Sequence, residues 1–494
     1  MIDPRTPVVV GVGQTSQRVP PSEASAPVDL LVEAARAAER DAGRPLLARA
    51  DVVAVVNIVS WPYPDPGAFL ARKLGIEPAA TMVTTVGGNS PQLLVDELAA
   101  AISRGDCDVA LVGGAEAMHT RWRARRDPPV ELRWDDGGDP PCARVVGDDR
   151  PGTSPYEEVH LAVAPTMVYP LFETALRAEA GDSVEAHQVR VSELWARFSA
   201  VAAENPEAWT PRARTAEEIR TVGPDNRMIV APYPKLMCSN IDVDQSAALI
   251  LCSYEAAARA GVAADRMVFL HGAAEAHDHW FTTERASLTR SLAIAAVTRD
   301  ALAAAGLGTG DLAYLDLYSC FPAAVQIARR ELGLAADDPR PLTVTGGLGF
   351  AGGPVNNYPT HAIARMVEAL RADPGTFGLT TALGWYVTKH AAAVWSTVPP
   401  RHPFATRHPQ AEVDAGPRRE VAGLIDGEAV IEATAVAHER DGEPSVAIVS
   451  LLLDDGRRAL ANARDRDVLR SMTDEAWEGR RVAVGNDGTT NALR

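Results

Sequence analysis

Apolar positions alternate between two spacings along this chain, and the same order of elements appears twice. Residues 28–59 read as an amphipathic helix, "VDLLVEAARAAERDAG", then a β-branched strand, "DVVAVVNIVS". Residues 291–318 repeat that order with "SLAIAAVTRDALAAAGL" and "DLAYLDLY". The next step also matches. "TMVTTVGGNSPQLLVDELAAAISRGDCDVALVGG" predicts strand, glycine turn, helix and strand. So does "LTVTGGLGFAGGPVNNYPTHAIARMVEALRADPGTFGLTTALG". Two βαβ-rich halves with buried, mostly parallel strands predict a duplicated α/β fold. Between them, 119–235 is irregular and rich in Arg, Asp and Pro, a length that usually serves function. "VPPRHPF" reads as a linker. Beyond 399, "EAVIEATAVAHE", "PSVAIVSLLLDDG", "RRALANA" and "RRVAVGN" predict a small antiparallel β domain, with "DDG" as a hairpin turn. The final "GNDGTTNALR" reads as a loose tail.

The chain has 494 residues, enough for two or three domains, and 46% hydrophobic residues, as in ordinary globular proteins. Its net charge of −17 repels phosphate backbones and argues against a nucleic-acid partner. No uncharged run approaches the ~18 residues of a membrane span. The five cysteines lie far apart with no CxxC pair, reading as free thiols in a reducing compartment. "MIDPRTPVVVGVG" lacks a signal-peptide core, so a cytosolic location is expected.

Several motifs invite chemistry. "VVVGVGQTSQ" superficially resembles a dinucleotide fingerprint, but Ser16 stands at its third glycine and no suitable helix opens there, so it reads as a buried first strand. Ser90 follows Gly87-Gly88-Asn89 and precedes Pro91. It reads first as a helix N-cap and second as a nucleophile. Tyr318, Ser319 and Cys320 end a strand, where α/β sites are built; a core tyrosine and an inert thiol are the equal alternative. His361 falls in the first turn of a helix, where the dipole keeps it neutral. His390 lies in an apolar strand and reads as a core residue before a catalytic one. Arg121, Arg123, Arg125 and Arg126 form a basic patch that suits a phosphorylated ligand or, equally, solvent.

The duplicated halves, "LVGGAEAM", "DQSAALILCS", "YSCF" and "FAGGP" resemble the thiolase superfamily, nearest its sterol-carrier-protein branch. The resemblance covers about residues 5–398. It implies a five-layer αβαβα fold, divided into an N-terminal half (1–118 and 236–262), a loop domain (119–235) and a C-terminal half (263–398). It also implies that the loop domain holds coenzyme A, with the arginine cluster on its phosphates. The family's reactive groups are absent. Gly88 stands at the nucleophilic Cys, Gly353 at the His of the G-H-P turn, and Ala382 at the second Cys. Tyr318-Ser319-Cys320-Phe321 stands at H-D-C-F. The glycine turns at Gly87, Gly88, Gly352 and Gly353 are expected to stabilise a thioester oxygen. Tyr318 is expected to be the base, with His361 or His390 supporting it. The segment 399–494 resembles the OB-type partner of thiolase-like aldolases of steroid degradation. Three functions follow from the resemblance: a diverged acyl-CoA acyltransferase, a retro-aldol lyase on a β-hydroxyacyl-CoA, or a non-catalytic acyl-CoA-binding protein. No metal is expected, and both homodimer and monomer stay open.

Overall fold

The computed structural model describes residues 2–126 and 128–494. Its first sheet has strand order Ala80–Thr84, Val52–Val55, Val109–Ala117, Asp244–Ser253, Pro7–Ser16. The second half repeats that order from its second position: Leu312–Asp316, Phe377–Gly384, Lys389–Ser396, Val268–His277. The two join edge to edge where Val8 and Val9 meet Phe269 and Val268. The second half lacks its third strand. Leu342–Thr345, expected to be extended, is a loop: Thr343 Oγ1 accepts from Thr345 N (3.1 Å) and Gly346 N (3.0 Å), and its hydroxyl donates to Asp316 (2.9 Å).

Helices Ser90–Arg104 and Tyr358–Ala372 each touch strands of both halves and form the middle layer. Burial around Ser90–Arg104 extends to Gln92 and Asp96, as a helix sandwiched between sheets requires. Helices Pro27–Ala42 and Leu292–Ala305 pack outside, on the first and second halves respectively, completing five layers. Gly11 and Gly13 now have a packing role: a Cβ at either would lie 2.2 Å from a carbonyl oxygen of Pro27–Ala42. They let helix and strand touch.

At the C-terminus, Gly427–His438, Pro444–Leu452, Arg458–Ala463, Asn491–Leu493 and Arg481–Asn486 close a five-stranded barrel. Two expectations change here. The supposed tail supplies the closing strand, and buried Asn491 donates to the Gly423 and Leu460 carbonyls (both 2.9 Å). The segment after 399 still belongs to the body, with Thr406–Arg407 paired to Ala273–Ala274. The loop region also joins the barrel: Met228–Ala231 pairs with it through Val230–Ala437 and Ala231–Val436. One buried ion pair crosses that junction, and a second, within the barrel, includes an arginine that reaches the second half. Arg177 binds Glu478 (2.5 Å), and Arg458 binds Glu432 (2.7 Å) while donating to the Thr283 carbonyl (3.1 Å). No helix among the described residues is long and apolar enough to cross a membrane.

Candidate active site

The turn Val86–Asn89 links the strand Ala80–Thr84 to the central helix. Neighbouring segments hold it: Asn356 Oδ1 accepts from Gly87 N (2.9 Å), and Lys389 Nζ donates to the Val86 carbonyl (2.7 Å). A Cβ placed on Gly88 would lie 2.1 Å from the Tyr318 hydroxyl, 2.7 Å from its Cζ and 2.4 Å from the Leu383 carbonyl oxygen. The tyrosine hydroxyl therefore occupies the space a side chain at position 88 would need.

Tyr318 lies two residues beyond the strand Leu312–Asp316, where the chain turns toward a helix starting at Pro322. Thr381 Oγ1 accepts from its N–H (2.9 Å), and its ring meets Tyr358 edge-on at 5.6 Å. Burial, with the Cys320 thiol beside it, pushes its hydroxyl well above the ordinary 10. This runs against the expected base, since burial disfavours the phenolate. Beside it is a cavity of about 20 Å³, bordered by Thr381, Leu383 and His390. That is room for about one water.

His390 is brought to this cavity. Its Nε2 lies 3.0 Å from the Val387 carbonyl and 3.6 Å from Asp278, so Nε2 carries the proton. The turn preceding His390 is strained: Trp385 and Val387 adopt φ of 58° and 55°. Each such residue costs about 1–3 kcal/mol. Tyr169 restrains this turn, donating to the Trp385 carbonyl (2.9 Å) and accepting from Val387 N (3.4 Å).

The other expected site residues are spent elsewhere. Ser90 is not the cap: Asn89 holds that position, and the Ser90 hydroxyl donates to the Thr85 carbonyl (3.0 Å). Burial pushes the Cys320 thiol up to about 12, too high for a thiolate nucleophile. His361 sits in its helix's first turn as expected, but its Nδ1 pairs with Gln14 on the first strand (2.7 Å), not with Tyr318. Burial lowers its pKa to about 3, and Nε2 has no partner. The N–H groups of Gly87 and Gly353 are also occupied, the latter by the Asn240 carbonyl (2.8 Å). Neither is free for a thioester oxygen. Gly352 and Gly353 instead make room for Gln245 and Ser239, whose Oε1 and Oγ would lie 2.1 and 2.5 Å from added Cβ atoms.

The arginine cluster divides. Residues Met118–Ala124 are helical, and Arg121 turns back to the Val59 carbonyl (3.0 Å). Arg126 instead faces a groove of about 880 Å³ with Trp122. Arg227, Lys235 and Arg440 add three cations there, opposed by Asp225 and Asp242. These residues are far apart in sequence, and Arg440 comes from a barrel hairpin, so spacing gave no signal for them. Arg123 and Arg125 do not line this groove. Among the described residues, no group of three or more His, Cys, Asp and Glu side chains is placed to hold a metal.

A sequence profile described as the thiolase-like protein type 1 additional C-terminal domain matches residues 409–489. The whole chain superposes on the crystal structure of a monomeric SCP2-thiolase like protein type 1 from Mycobacterium smegmatis. The two share 35% identity, 100% coverage of both chains and a TM-score of 0.87. An Ltp2-ChsH2(DUF35) aldolase shares the fold at TM-score 0.59 and 20% identity, over 80% of this chain and 98% of its own. An acetyl-CoA acetyltransferase from Methanothermobacter thermautotrophicus is 27% identical over 189 residues, which is 35% of this chain. The match spans about half, 47%, of that relative. The full-length likeness, together with the added barrel, places this chain among the type 1 SCP2-thiolase-like proteins of the thiolase superfamily.

Proposed function

We propose that this chain binds an acyl-CoA and handles the thioester without an acyl-enzyme, as a diverged acyl-CoA acyltransferase. The observation that carries this is the Tyr318 hydroxyl in the space denied to a side chain at position 88. A protonated hydroxyl there supplies a hydrogen bond to the thioester oxygen. An acceptor then attacks the carbonyl directly, and CoA leaves as the thiol with the acceptor's proton. The groove of Trp122, Arg126, Arg227, Lys235 and Arg440 supports CoA binding: arginines match phosphates, and the indole offers a stacking face to adenine. The one-water cavity must widen to admit an acyl group. The strained turn at Trp385–Val387, held by Tyr169, is where it opens.

The same hydroxyl supports a second reading, a retro-aldol lyase in which His390 takes the β-hydroxyl proton as the carbon–carbon bond breaks and Tyr318 protonates the carbon released. Calorimetric titration with CoA and acetyl-CoA tests the shared element. Affinity should fall at least about tenfold in Arg227→Ala/Arg440→Ala and weaken with salt. Unchanged affinity in that variant removes the groove assignment. Product analysis with acyl-CoA and β-hydroxyacyl-CoA panels separates transferred acyl group, released carbonyl compound, and binding without turnover.

A further inference from the structure

Only three of the 48 basic residues in this chain are lysines: Lys73, Lys235 and Lys389. Two are exposed, but Lys389 is 4% exposed in the strand Lys389–Ser396, opposite His277. Arginine supplies nearly all positive charge here, so a buried lysine is notable for the chemistry arginine lacks: loss of a proton to give a nucleophilic amine. Lys389 reaches the glycine turns. Its Nζ and Cε would lie 2.8 and 2.9 Å from a Cβ on Gly87, and its Cε 3.0 Å from one on Gly384. The side chain of Asn89 fills the same space, with Oδ1 2.6 and 2.4 Å from those two positions. That oxygen is buried with no hydrogen-bond partner.

Both residues line a cleft of about 380 Å³, distinct from the groove at Trp122, with His277, Trp280, Glu275 and His390 on its walls. Nζ donates to the Val86 carbonyl (2.7 Å) and the Asp148 carbonyl (3.2 Å). A buried amine, an unpartnered amide oxygen beside it and an open cleft in front form the setting for carbonyl capture.

We propose that this cleft binds a small aldehyde or ketone and that Lys389 captures it as an imine. The Nζ lone pair attacks the carbonyl carbon. The carbonyl oxygen takes both amine protons and leaves as water, giving the neutral imine. Asn89 Oδ1 accepts a hydrogen bond from the carbinolamine hydroxyl on the way. Glu275 and His277 lie on the same walls for proton movement. Burial lowers the lysine to about 8, against the opposing pull of Asp148 and Asp149 and with the help of Arg150. A shift from 10.5 to about 8 raises the free-amine fraction near neutral pH by roughly two orders of magnitude.

The test uses the intact protein with acetaldehyde as probe, borohydride to reduce any imine, and peptide mapping of the three lysines. Lys389 should be ethylated at least about tenfold faster than Lys73 or Lys235, at a rate that saturates with acetaldehyde. Lys389→Arg, which keeps the charge, should lose that fast phase. Three results would overturn the proposal: an unlabelled Lys389 in folded protein, labelling no faster than at the exposed lysines, or a rate linear in acetaldehyde.

Discussion

Gly88→Ala turns the placement of Tyr318 into a question of sign. Gly88 does not adopt a positive φ, so alanine suits its backbone. At such a site Gly→Ala stabilises by about 0.4–1 kcal/mol, because the unfolded chain loses freedom. Against this stand the Tyr318 hydroxyl at 2.1 Å and the Leu383 carbonyl oxygen at 2.4 Å from the new methyl, both below any normal contact. Leu383 O is backbone, paired in a strand, and cannot swing aside. Overpacking of this kind costs about 1–3 kcal/mol, which outweighs the entropy gain. Gly88→Ala should therefore lower the urea midpoint at unchanged slope, and Gly88→Cys should lower it further. Truncating Tyr318 to Ala is itself costly, about 3–5 kcal/mol by analogy with other aromatics. In that background the same Gly88→Ala should cost less by about 1–2 kcal/mol, since the 2.1 Å contact is gone while the Leu383 contact remains. A Gly88→Ala protein more stable than its parent would refute the reasoning outright.

Two further outcomes follow. His361 is held at about 3 when folded and returns toward 6.5 unfolded, so folding releases a proton below pH 6.5. Stability should fall as pH drops through that window, by up to about 1.4 kcal/mol per unit. A His361→Gln variant should lose that part of the slope in denaturation series; an unchanged slope contradicts the assignment. Arg458 is 1% exposed and its removal leaves Glu432 without its ion pair within the barrel. Arg458→Met should cost about 3–5 kcal/mol, and Glu432→Leu added to it should restore part of the loss. A loss below about 1 kcal/mol in the single variant would mean the barrel does not depend on this pair.

The duplicated halves were legible because each buries strands between helices, which fixes long apolar runs in a repeated order. Gly88 and Gly353, which the resemblance sets at the family's reactive positions, do fall in turns beside the central helices. What fills those positions was not legible. Tyr318 approaches Gly88 across 230 residues, and no local pattern encodes such a contact. The supposed tail misled because its polar "NDGTTN" run makes a tight hairpin before a three-residue strand, too short for alternation to register. Strand Met228–Ala231 was hidden because its partner lies in the barrel, two hundred residues on. The division of the arginines was not legible: the helix stops at Ala124, so Arg126 follows the chain beyond it and not the helical period that places Arg121. Lys389 carried a compositional signal, its rarity, but a single lysine in an apolar strand has no periodicity to mark it.

The claim that this thiolase-like site works without a covalent intermediate meets its most direct test in mass spectrometry of the protein incubated with acetyl-CoA, first under native conditions and then denatured. The native spectrum should contain the intact protein–acetyl-CoA complex, and denaturation should return the unmodified chain mass. An acetyl group that survives denaturation on Ser90, Cys320 or any other cysteine would contradict the account, as would a native spectrum without bound acetyl-CoA.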